Sequence, residues 1–299
     1  MSVLEIKDLT KSFGEKAVLR GLSLSVEEHS VFGFIGRNGA GKTTTMKAIL
    51  GLLRPDGGEI YVAGERVAYG GAATNRYIGY LPDVPEFYGF MTAREYLALC
   101  GESLGMGKNE IKERSEELLA LVGLAEEKHR VRGYSRGMKQ RLGIAQALFA
   151  RPRLLICDEP TSALDPVGRK EILDVLLAAR EQTTVLFSTH ILTDAERICT
   201  DIAFLNDGKI AMQGTVAELK KLHRKEELTL ELACAEHIPL ITERFPTAKA
   251  VGEETLSFSG GEGEMHALLA FIAEKKLPFT KIERAEPTLE ALFIEVAAK

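Results

Sequence analysis

Cysteine is scarce in this sequence. The four present, Cys100, Cys157, Cys199 and Cys234, include no CxxC pair. That excludes a zinc ribbon and a disulfide framework and leaves reduced thiols as the simplest state. No apolar run approaches the ~20 residues that a membrane-spanning helix needs. The N-terminus, Met1-Ser2-Val3-Leu4-Glu5-Ile6-Lys7, alternates like a strand and lacks a signal-peptide core. A chain kept inside the cell is therefore expected, with any membrane span supplied by another chain. An excess of positive charge is missing too. Lys and Arg number 38 against 43 Asp and Glu, a net of −5, which argues against nucleic acid as the main partner. There is no internal repeat and no low-complexity segment.

What is present is enough apolar residue for a sizeable core. Hydrophobic residues make up 45% of 299, a composition that excludes disorder and a length that suits one large and one small domain. Up to about residue 215, short apolar runs alternate with amphipathic stretches. Strands are predicted at 31–35, 77–81, 154–158, 184–188 and 202–206, and helices at 42–50, 92–104 and 170–180. Strands alternating with helices predict an α/β domain with a largely parallel sheet. The runs at 5–9 and 22–26 alternate in and out, as in an antiparallel sheet with one wet face.

Beyond residue 224 the composition changes. From Lys225 onward, 8 Lys and Arg face 14 Asp and Glu, whereas the preceding part holds 30 against 29. The tail reads strand 228–232, helix 236–245, hairpin 248–259, helix 262–274 and strand 279–284. It ends in a helix with Leu289, Leu292, Phe293 and Val296 on one face. That order predicts a small ferredoxin-like α+β domain over 225–299, behind a first domain over 1–224.

Gly36-Arg37-Asn38-Gly39-Ala40-Gly41-Lys42-Thr43 fits GxxxxGK[ST] between an apolar strand and a helix, with Thr44 following. Glycines let backbone N–H groups converge on phosphate oxygens, and the helix N-terminus adds positive potential. Lys42 would reach the β- and γ-phosphates, and the Thr43 hydroxyl would ligate Mg²⁺. An accidental glycine-rich turn is the competing reading, which the flanking strand and helix disfavour. The apolar strand Leu154-Leu155-Ile156-Cys157 runs into Asp158-Glu159, at the strand end where open α/β sheets bind ligands. Asp158 could hold Mg²⁺ through water, and Glu159 could polarise an attacking water. A lone Asp-Glu is often only a solvated strand end; beside the phosphate loop it is a strong signal.

Tyr134-Ser135-Arg136-Gly137-Met138-Lys139-Gln140-Arg141 resembles the signature motif of ABC ATPases, in the variant whose first glycine is basic. Asp158-Glu159-Pro160-Thr161-Ser162-Ala163-Leu164-Asp165 is similar to that family's second carboxylate motif and D-loop, and Ser188-Thr189-His190 to its switch histidine. Phe13 stands where the family stacks an aromatic on adenine. Singly, Ser135 is a plausible N-cap and Phe13 a plausible core residue; order and combination reverse those readings.

The resemblance implies a P-loop ABC-type nucleotide-binding domain with a parallel sheet core, an antiparallel β subdomain and a helical subdomain, carrying a small C-terminal α+β domain. It implies an ATPase using ATP and Mg²⁺. Two copies would pack head to tail, so that Ser135, Gly137 and Asp165 of one close on ATP bound by the other. A separate transmembrane permease would convert that closure into transport, with the chain peripheral on the inner face of the membrane. The acidic tail resembles the accessory domain of exporter-type subunits. One position departs from the family pattern: Asp83 replaces the usual glutamine after Pro82, and a carboxylate there could join the metal ligands. The alternatives are a soluble ABC ATPase acting as an assembly scaffold, which a neighbouring gene for a membrane protein would disfavour, and a non-catalytic nucleotide sensor, which would lack Glu159 or His190.

Overall fold

The computed structural model describes residues 2–222, 227–284 and 288–297. It divides into two compact units, Met1–Val216 with Phe293–Lys299, and Ala217–Leu292. The predicted boundary at 224/225 lies outside the described residues, and the observed division falls eight residues earlier. The side chain of Val296 also lies outside them.

The first unit contains, in chain order, β1 (Ser2–Phe13), β2 (Lys16–Glu27), β3 (Val31–Gly36), α1 (Lys42–Ile49), β4 (Gly57–Val62), β5 (Glu65–Arg66) and β6 (Ile78–Leu81). There follow α2 (Ala93–Ser103), α3 (Lys108–Leu121), α4 (Arg136–Leu148), β7 (Leu154–Asp158), α5 (Pro166–Ala179), β8 (Thr184–Thr189), α6 (Leu192–Ile198), β9 (Asp201–Asn206) and β10 (Lys209–Thr215). Helix α7 (Val216–Leu222) begins at the division.

Six strands form one sheet in the order β10-β9-β3-β8-β7-β6, parallel throughout except for the β10–β9 edge. Every residue of β3, β7 and β8 is buried, which is why these strands read as unbroken apolar runs rather than alternations. A second sheet, β2-β1-β4-β5, is antiparallel. Its first two strands are more than twice as long as the runs expected at 5–9 and 22–26. Register shifts after Ile6 and Leu9 interrupt the alternation of β1, so the pattern stops before the strand does. Leu4, Ile6, Leu9, Leu22 and Leu24 of these strands meet Phe32 and Phe34 of β3 and Ile49 of α1 in one core.

Helix starts follow local chemistry. Thr92 caps α2 in a full capping box with Glu95. Helix α5 starts four residues before its expected position because Asp165 caps it and Pro166 occupies its first turn.

The second unit contains β11 (Glu227–Leu232), α8 (Ile238–Arg244), β12 (Lys249–Ala250), β13 (Thr255–Ser259), α9 (Glu262–Lys275) and β14 (Phe279–Arg284). Helix α10 (Leu289–Ala297) closes the chain and spans the division at Leu292/Phe293. The sheet order β12-β13-β11-β14, antiparallel at each pairing, is that of a split β-α-β sandwich. Leu228, Leu230, Leu232, Leu256 and Phe258 on its inner face pack with Ile241, Leu268 and Ile272 of the helices.

Candidate functional site

The site lies at the carboxyl ends of β3, β6, β7 and β8, where an open parallel sheet leaves its crevice. After β3 the chain turns through Gly39 at φ 82° and Gly41 at φ 115°, values that favour glycine. A Cβ on Gly41 would also stand 2.8 Å from Leu19 Cδ2. The turn delivers Lys42 and Thr43 as the first residues of α1, so the loop ends on a helix N-terminus.

Lys42 is nearly buried, and its Nζ donates to the carbonyl oxygens of Gly36 at 2.7 Å and Arg37 at 3.4 Å. The same ammonium pairs with Glu159 Oε1 at 2.9 Å. His190 Nδ1 meets the other oxygen, Glu159 Oε2, at 2.8 Å. A carboxylate only accepts, so the shared proton is on Nδ1. Glu159 sits at φ 50°, an unusual backbone angle for a non-glycine residue and one met at functional sites. Its N–H donates to Ser188 Oγ at 3.0 Å.

Beneath this chain of charges, Asp158 is buried and accepts twice. Thr43 Oγ1 donates to its Oδ2 at 2.7 Å, and Ser188 Oγ to its Oδ1 at 2.7 Å. A threonine hydroxyl and a carboxylate in contact are hard oxygen donors, the chemistry Mg²⁺ takes.

Of the residues the sequence singles out, Phe13, Asn38, Gly39, Gly41, Lys42, Thr43, Thr44, Asp83, Glu159 and His190 line a single cleft of about 600 Å³. Phe13 is 51% exposed, with Lys11 Nζ 5.5 Å from its ring centroid. The core assignment for that ring therefore fails, and an open aromatic face remains. Gly36, Arg37 and Ala40 shape the loop behind the cleft, Ala40 N donating to Arg37 O at 3.1 Å.

Three residues are not brought to this cleft. Ser135 caps α4, its Oγ accepting from Met138 N at 3.2 Å. Gly137 lies in the first turn of that helix, and Asp165 caps α5 through Gly168 N at 3.0 Å. Asp83 reaches out of the cleft as well as lining it: Arg136 Nη2 donates to its carboxylate at 3.2 Å, and Gln140 Nε2 to its carbonyl oxygen at 2.6 Å.

Lys16 and Val18 also line the cleft and escaped the sequence reading, whereas Ser162, which lines it too, and Ser188 stood inside quoted motifs without a role of their own. Ser162 lies three residues after Glu159 and Ser188 two before His190, so both carried a positional signal.

Among the described residues no helix is long and apolar enough to cross a membrane. A family model described as ABC transporter matches residues 19–162. The ABC transporter ATP-binding protein YxlF of Bacillus subtilis (strain 168) is 39% identical over 299 residues, covering 98% of this chain and 99% of that one. The bacitracin transport ATP-binding protein BcrA of Bacillus licheniformis is 34% identical over 304 residues, covering 99% and 97%. A solved ATP-binding subunit of an ABC transporter superposes with a TM-score of 0.66 at 33% identity, over 74% of this chain and 92% of that one. With such relatives matching it nearly end to end, and with its glycine loop and carboxylates gathered at the carboxyl ends of one sheet, the chain belongs to the ABC transporter family as an ATP-binding, ATP-hydrolysing subunit that powers transport through a separate transmembrane partner.

Proposed function

We propose that the cleft holds Mg-ATP and that Glu159 activates the attacking water once the γ-phosphate has drawn Lys42 away from it. The observation that carries this is the continuous chain Lys42–Glu159–His190 at 2.9 and 2.8 Å. While Lys42 Nζ stands 2.9 Å from Glu159 Oε1, that oxygen is occupied and not free to accept from a water. A γ-phosphate is the stronger partner for that ammonium, so its arrival frees Glu159 Oε1 for water. His190 keeps Glu159 oriented through Oε2.

Backbone N–H groups from Asn38 to Thr44 cradle the phosphates, and Phe13 offers its open face to adenine. Thr43, Asp158 and Asp83 would hold Mg²⁺, which supplies charge neutralisation on the phosphate oxygens. Ser188 fixes both Asp158 and the Glu159 backbone, so the two carboxylates keep separate tasks.

Two copies close head to tail, Ser135 and Gly137 of one meeting the nucleotide of the other, with the positive end of α4 toward the γ-phosphate. Asp165, at the head of α5, belongs to the same contact. Loss of the γ-phosphate removes the shared ligand and opens the pair. The chain works on the inner face of the membrane against its permease, in the direction of export. Bacitracin transport and linearmycin resistance in the names of relatives aligned over nearly their whole length support that direction. The second unit, Ala217–Leu292, is an accessory domain rather than part of the motor.

The test is sedimentation of the Glu159→Gln variant with Mg-ATP, Mg-ADP and no nucleotide, beside co-purification of the parent with membrane proteins. A dimer with Mg-ATP alone is expected. A monomer in all three conditions overturns the head-to-tail mechanism.

A further inference from the structure

We propose that Asp83 and Arg136 form a metal-sensitive latch between the chain's own nucleotide site and its signature helix α4; this rests on the nucleotide reading above. Asp83 lines the same cleft as Lys42 and Thr43. Its carboxylate is nonetheless engaged by Arg136 at 3.2 Å, and its carbonyl by the fully buried Gln140 at 2.6 Å. Residues 136 and 140 are one helical turn apart on a single face of α4. One loop residue is thus gripped twice by the helix that carries Ser135.

Charge explains why the grip exists. Arg136 is the first residue of α4, whose first turn contains no acidic side chain. A cation there opposes the helix dipole. Asp83 supplies the missing anion from outside the helix.

The same carboxylate shares its cleft with Thr43, whose hydroxyl donates to Asp158 Oδ2 at 2.7 Å. The Tyr80 phenol is pushed up to about 12, by burial first and then by neighbours of which the Asp158 carboxylate is the strongest and Asp83 the weakest. A divalent cation at Thr43 and Asp158 offers Asp83 a second positive partner, of higher charge than Arg136. Metal and guanidinium compete for one carboxylate, and whatever the metal takes releases the first turn of α4. Neither a glutamine at 83 nor a glycine at 136 could make this ion pair.

The test is ADP affinity by calorimetry, with Mg²⁺ and with EDTA, for the parent, Arg136→Gln, Asp83→Gln and the double variant. ADP lacks the γ-phosphate, so a second copy is not recruited. With Mg²⁺, Arg136→Gln should tighten binding by about two- to five-fold, the scale of a half-exposed ion pair. The gain should vanish in EDTA and vanish when residue 83 is glutamine. Equal Mg-ADP affinities for the parent and Arg136→Gln overturn the latch. So does a gain that persists in EDTA or beside glutamine, because a purely structural effect ignores both. A parent that binds no ADP in either condition overturns the nucleotide reading itself.

Discussion

Lys42→Ala separates two functions of one ammonium. Without nucleotide, Lys42 holds Glu159 Oε1 at 2.9 Å and the Gly36 carbonyl at 2.7 Å while nearly buried. Breaking a buried ion pair costs about 3–5 kcal/mol. Here the Glu159 side chain keeps 14% exposure and its bond to His190, which lowers the cost. The orphaned carbonyl adds about 1 kcal/mol, giving about 2–4 kcal/mol in all. At 2–4 °C per kcal/mol for a unit of this size, Tm should fall by roughly 5–15 °C. ATP loses a charge-assisted partner worth about 1.5–3 kcal/mol, or ~10- to 150-fold in Kd.

Lys42→Met keeps the stem and isolates the charge. Combined with Glu159→Gln, it removes both charges, so the double variant should be less destabilised than the two single losses added together. Thermal unfolding and labelled-ATP binding, run in parallel, read both effects. An unchanged ATP affinity in Lys42→Ala refutes the phosphate-loop argument. Strict additivity in the double variant refutes the ion pair as the resting state of Glu159.

Two further outcomes follow from the same geometry. Asp158→Ala leaves the buried Ser188 hydroxyl and Thr43 Oγ1 without their 2.7 Å acceptor, so unfolding in the absence of nucleotide should come at lower temperature, by about 2–4 kcal/mol of stability. Asp158→Asn should recover most of that stability and none of the Mg²⁺ dependence, and equal stability of parent and Asp158→Ala would count against the bonding described. A chain ending at residue 222 should still bind ATP in dialysis, because every residue lining the cleft precedes it; a folded truncation that binds none makes the tail integral to the motor.

The parts of the site legible in the sequence are those whose partners lie within a few residues. The loop from Gly36 to Thr43 and the strand ending in Asp158-Glu159 each carry their geometry in local spacing. Ser188 was hidden because its bonds to Asp158 and Glu159 need β7 and β8 side by side, 30 residues apart along the chain. Arg136 and Asp83 are 53 residues apart and meet only when α4 packs over the end of β6. The continuous burial of β3, β7 and β8 made the parallel sheet readable, whereas register shifts in β1 concealed more than half of that strand. At α5, charge and proline carried the start signal, in Asp165-Pro166, before any apolar period began. Asp83 illustrates the limit on function: position suggested a metal ligand, but only packing reveals that Arg136 and Gln140 hold it, whereas the strand and helix order of the tail was readable from its periodicity.

The most direct test of the account is single-turnover hydrolysis of Mg-ATP by Glu159→Gln. An amide cannot take the water's proton, so the rate should fall by about 10²–10⁴-fold, while ATP affinity stays at or above the parent's because Lys42 no longer has to leave a carboxylate. A rate close to the parent's, with ATP bound normally, would contradict the assignment of Glu159 as the base held in reserve by Lys42.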